Sequence, residues 1–147
     1  MENSFIKDEW STIYHITPAV NLNKINKKGL VPKANCKFQN HPERIYLLNR
    51  FTNNEQILSL VIDLYNGNDN EHQYKNEYLL LGVNSDFDIE RTYNGSFTTI
   101  DFNRDNNMEN SIFTYDNIPA NKISALYKFK IELSNEIPII TEISKIS

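Results

Sequence analysis

The residues best suited to chemistry stand near the start of the chain, in Tyr14-His15-Ile16-Thr17-Pro18. In a strand, alternate residues share a face, so a His-x-Thr pair at a strand end presents an imidazole and a hydroxyl together. Such a pair can bond the hydroxyls of a ligand held in a cleft. Seven cations, Lys24, Lys27, Lys28, Lys33, Lys37, Arg44 and Arg50, follow within the first 50 residues. They can attract phosphates or simply solvate a helix face and loops.

The elements that must position these groups follow from local signals. Ser11 to Ile16 is rich in β-branched and aromatic residues and predicts a strand. Thr17 suits a helix N-cap, Pro18 the first helical position and Gly29 a helix stop, with Leu22 and Ile25 facing the core. Arg44 to Asn49 predicts a second strand. Thr52 opens an amphipathic helix in which Ile57, Leu60, Val61 and Leu64 recur at helical spacing, and Gly67 ends it. Asn66 to Asn76 is a polar loop, and Glu77 to Asn84 a strand of the buried type. Asp86 to Tyr93 predicts a short strand or turn before the tight-turn pair Asn94-Gly95. Arg104 to Asn110 is loop-like, Ser111 to Asp116 a strand, Ile118-Pro119 a turn and Ile123 to Leu133 a further strand. The tail within 131–147 contains Ile137-Pro138-Ile139-Ile140, too apolar for a free linker, and is expected to pack on the body or on a partner. One α+β domain over 1–147, with two early helices and a mainly antiparallel sheet, accounts for this order.

Composition bounds the class. With 39% hydrophobic and 23% charged residues, 8 Tyr and 8 Phe, the chain can bury a core. A single cysteine, Cys36, excludes an internal disulfide and a cysteine-based zinc site. The N-terminus is acidic and no apolar run reaches bilayer length, so a cytoplasmic protein without membrane contact is expected. The net charge of −4 divides into +4 over residues 1–50 and −8 over residues 51–147.

Five stretches, in order, carry a family resemblance. Tyr14-His15-Ile16-Thr17 leads to Gly29-Leu30-Val31-Pro32 and Arg44-Ile45-Tyr46-Leu47. Leu81-Gly82-Val83-Asn84 follows, and then Ser111-Ile112-Phe113-Thr114-Tyr115-Asp116-Asn117-Ile118-Pro119. Across residues 11–130 this resembles the ADP-ribosyltransferase-like superfamily, in its His-Tyr-Glu branch of DarT-type and poly-ADP-ribose polymerase domains. The resemblance implies a split β-sheet core with an NAD-binding cleft between two small sheets. By that likeness His15 contacts a ribose hydroxyl of NAD, Thr17 supports the same segment, and Tyr46 stacks on the nicotinamide ring. Arg44, among the basic residues, helps hold the pyrophosphate. The family's glutamate at the start of the last strand orients the ribose and stabilises the oxocarbenium-like charge as nicotinamide leaves. Ser111 aligns with that glutamate here, and Glu109, two residues earlier and on the same face of an extended strand, is the candidate catalytic carboxylate.

Two activities follow from the likeness. One is NAD-dependent mono-ADP-ribosyl transfer to a nucleic acid or protein acceptor. The other, favoured by Ser111 and by small size, is a non-catalytic domain that binds a nucleotide or a partner protein, in the manner of a toxin, an immunity factor or a phage counter-defence factor. A related RNA 2′-phosphotransferase activity ranks last, because only His15, Arg44 and Arg50 match its basic cleft. Read without the resemblance, His15 and Tyr46 can also be core residues, Thr17 a simple cap, and Asp86, Asp88 and Glu90 an acidic turn.

Overall fold

A computed structural model describes residues 12–32, 45–48, 52–67, 73–84, 102–104 and 111–146. The protein is α+β. Seven strands form one antiparallel sheet: β1 (Thr12–Pro18), β2 (Ile45–Leu48), β3 (Glu77–Asn84), β4 (Phe102–Arg104), β5 (Ser111–Thr114), β6 (Ile123–Ser134) and β7 (Ile137–Lys145). Their spatial order is β4-β5-β2-β1-β3-β6-β7. The described residues also form helices α1 (Leu22–Lys28) and α2 (Asn54–Asn66), with single 3-10 turns at Ala19–Asn21 and Ala120–Lys122.

The sheet has a core on each face, and strand alternation sorts residues between them. Ile13 of β1, Leu79, Leu81 and Val83 of β3, and Ile45 and Leu47 of β2 gather beneath Ile25 of α1. Tyr14 and Ile16 join Tyr78, Leu80, Phe129 and Ile131 beneath Ile57, Val61 and Tyr65 of α2. The continuous apolar run of β3 follows from this, since Tyr78 to Leu81 are all buried and both faces are covered.

Local signals explain the helix ends. Asn53 caps α2: its side chain accepts from the Gln56 backbone N–H at 2.8 Å, and the Gln56 side chain accepts from the Asn53 N–H at 2.9 Å. Helix α1 stops at Gly29, whose φ of 73° suits glycine and whose N–H donates to Ile25 O at 2.7 Å. Leu30 and Ile118 then exchange reciprocal backbone hydrogen bonds of 2.9 Å. A Cβ on Gly29 would collide with the Ile118 carbonyl oxygen.

Several expectations change. Thr17 does not cap a helix and Pro18 does not begin one; both end β1, and α1 starts only at Leu22. The residue before a proline is driven toward extended backbone, and Pro18 itself has ψ 142°. The cap of α2 is Asn53 rather than Thr52. Strand β4 ends on Arg104, the first residue of the predicted 104–110 loop, whose other residues lie outside the described ones. The tail divides: Ile131–Ser134 finish β6, and Ile137–Lys145 form the edge strand β7. Asn135 and Glu136, with φ of 51° and 67°, make the two-residue turn between them without glycine. The expected 86–95 turn region lies outside the described residues. Among the described residues no helix is long and apolar enough to cross a membrane.

Candidate functional site

Strand β1 pairs with β3 over its whole length, Thr12↔Asn84 to Pro18↔Tyr78, and with β2 on its other side, where Tyr14↔Leu48 is the register pair among the described residues. The described strands form one sheet where two separate small sheets were expected, and β1 and β2 meet at the seam between its halves.

His15 sits at that seam. Its Nδ1 lies 2.8 Å from the carbonyl oxygen of Tyr46. A carbonyl only accepts, so Nδ1 carries the proton and the lone pair of the neutral ring is on Nε2. The imidazole thus links β1 to β2 through the Tyr46 backbone.

Tyr46 is 39% exposed, while its neighbours Ile45 and Leu47 are buried on the α1 face. Alternation therefore carries the Tyr46 ring to the α2 face, whereas His15 shares the α1 face with Ile13 and Thr17. The two residues meet through the Tyr46 backbone, and their rings stand on opposite faces of the sheet. Tyr46 also begins a row of rings: Phe113, its cross-strand partner, is 6.4 Å away between centroids, and Tyr115 lies 5.4 Å beyond, edge to face. Phe113 and Tyr115 escaped the sequence reading. Their spacing of two along a predicted strand was the available signal.

Thr17 is only 3% exposed, and its hydroxyl oxygen accepts a 3.0 Å hydrogen bond from Asn21 Nδ2. It braces the turn after β1 and is closed to a ligand. Ser111 opens β5 opposite Leu48, which in turn stands opposite Tyr14. Position 111 is therefore two strand spacings from β1, roughly 10 Å. Arg44 and Glu109 lie outside the described residues, as do Cys36, His41, His72, Asp86, Asp88 and Glu90. Among the described residues no group of His, Cys, Asp or Glu is arranged to hold a metal ion.

A broad groove of about 1070 Å³ lies elsewhere, at the end of the sheet formed by the close of β1, the start of β3 and the close of β6. It holds no candidate residue from the sequence reading.

No family model matches the sequence, and no curated protein matches it. Among solved structures, EcPltA is similar over 95% of this chain and 87% of its own, with a TM-score of 0.51 at 8% identity. At that identity the likeness is one of fold alone.

Proposed function

We propose that the chain is an NAD-dependent mono-ADP-ribosyltransferase of the ADP-ribosyltransferase-like fold, acting on a nucleic acid or protein acceptor. The observation that carries this reading is the contact where His15 of β1 bonds the Tyr46 carbonyl of β2, which brings together two residues that the resemblance assigns to the site. The resemblance assigns His15 to a ribose hydroxyl of NAD and Tyr46 to the nicotinamide ring; their link through the Tyr46 carbonyl brings the two segments together, and the half-exposed Tyr46 ring offers a flat face to an aromatic ligand. Bound NAD supplies a ribose carbon from which nicotinamide leaves in favour of the acceptor. Thr17 holds the β1 end in place through Asn21. Position 111, across β2 from β1, is where a carboxylate is needed, and Glu109 is the nearest in sequence.

Serine at 111 supports the alternative, a domain of this fold that binds a nucleotide or partner protein without transfer. Calorimetry with NAD and ADP-ribose, paired with an assay of nicotinamide release in the presence of nucleic acid and protein acceptors, separates the two. Transfer predicts NAD binding weakened at least about tenfold by His15→Ala, through loss of a hydrogen bond to a buried ribose. It also predicts release abolished by Glu109→Gln. Binding without release selects the alternative, and absence of binding to either nucleotide rejects both nucleotide readings.

A further inference from the structure

Two segments of the sequence without carboxylates meet at helix α1. Between Glu9 and Glu43 the chain contains Lys24, Lys27, Lys28, Lys33 and Lys37 and neither aspartate nor glutamate. From Asn117 to Ile131 it again has neither, and it carries Lys122, Lys128 and Lys130. The Leu30–Ile118 bridge joins the two segments, and the 3-10 turn Ala120–Lys122 packs against α1. Half-buried Lys122 is thereby brought to the helix whose last turn holds Lys27 and Lys28.

Packing turns the apolar Leu22 and Ile25 of α1 into the core and leaves Asn23, Lys24, Asn26, Lys27 and Lys28 exposed. Lys24, Lys27 and Lys28 stand at i, i+3 and i+4, neighbours on one helix face, where like charges repel. Lys128 and Lys130 find carboxylates, Glu77 at 3.8 Å and Glu142 at 3.7 Å. Lys24, Lys27, Lys28 and Lys122 have no such partner among the described residues. The chain's net charge of −4 does not cancel this patch, because salt screens charges more than about 8 Å away.

The chemistry of this face says what covers it. Ammonium groups bind phosphate as point charges, and amides such as those of Asn23 and Asn26 donate to phosphate and sugar oxygens. A protein interface is instead poor in lysine and anchored by aromatic residues or arginine, and α1 has neither. A helix that binds a membrane surface inserts apolar side chains, and those of α1 are turned into the core. A chain of phosphates fits. Helix α1 also lies on the side of the sheet where Ile13 and His15 stand.

We propose that the exposed face of α1, with Lys122, is a docking surface for the sugar–phosphate backbone of a nucleic acid. The docking stands on charge alone; that the bound nucleic acid is the acceptor of transfer rests on the proposed activity. Anisotropy of a fluorescently labelled DNA duplex, measured without NAD, tests the docking. Its failure leaves transfer to a protein acceptor standing, and failure of nicotinamide release leaves the docking standing. Log affinity is expected to fall with log salt at a slope of about −3 to −4, from phosphate contacts by the α1 lysines and Lys122. Lys24→Gln, Lys27→Gln and Lys28→Gln combined replace exposed side chains by ones of similar helix propensity, so circular dichroism should be unchanged. That variant should bind at least about a hundredfold more weakly at about 50 mM salt, with a slope near about −1. Lys130→Gln removes a cation already paired with Glu142 and should change affinity less than about twofold. No binding of wild-type protein at about 50 mM salt overturns the proposal, as does affinity left intact in the triple variant. Lysine-dependent binding to phosphatidylserine vesicles, with none to the duplex, overturns it in favour of a lipid surface.

Discussion

The two half-sheets differ in how much ladder holds them. In the β1-β3-β6-β7 half, strands of seven to twelve residues pair along most of their length. In the β4-β5-β2 half, the described strands of three or four residues meet the rest of the sheet through the Tyr14↔Leu48 pair, the His15 ring and the Leu30–Ile118 bridge. The two halves are tied by a side chain as well as by backbone, so the His15 contact is the place to probe how independently they open.

The largest effect that can break this comparison is in the cores. Leu80→Ala, at a fully buried position under α2, is expected to cost about 3–5 kcal/mol of unfolding free energy, against about 2 kcal/mol for Leu47→Ala in the short half. Equal costs by denaturant titration would mean the halves unfold as one unit. Next comes the seam. His15→Ala is expected to cost about 0.5–1.5 kcal/mol and to leave β2 and β5 amides exchanging with deuterium on the order of tenfold faster, with β3 unchanged. Uniform acceleration would sink the idea of a local joint.

The smallest effect is a pH dependence in the scaffold. Burial raises the pKa of Tyr78 above 10.0, partly offset by a hydrogen bond from the Lys75 backbone, and Tyr65 adds a small further rise. The folded state therefore favours the neutral phenol. The stabilisation is complete below pH 10 and is lost as pH rises from there through the folded pKa. Melting curves should show this alkaline loss in the wild type and a flatter profile in Tyr78→Phe.

Of the candidate site, His15 was legible because its strand is short, β-branched and closed by a proline. Tyr46 was legible only as a strand aromatic, since which face it takes depends on pairing with β1 and β5. Ser111 was recognised as the opening residue of β5, but its place two strands from β1 depends on the intervening β2. The groove was invisible in sequence: Val20, Tyr74 and Leu133 are far apart along the chain and look like ordinary apolar residues.

What the amino-acid sequence determined alone was local. Gly29 and Gly67 end their helices, Ile57 and Val61 mark the buried stripe of α2, and the apolar run of Glu77–Asn84 announces a strand covered on both faces. Each depends on interactions within a few residues, so the sequence neighbourhood contains the information. Tertiary structure alone decided the strand order, the placing of β2 beside β1, the capture of the tail as β7, and the meeting of distant apolar residues in one groove. These depend on contacts between segments tens of residues apart, where many pairings satisfy the same local pattern and only simultaneous burial of both sheet faces selects one.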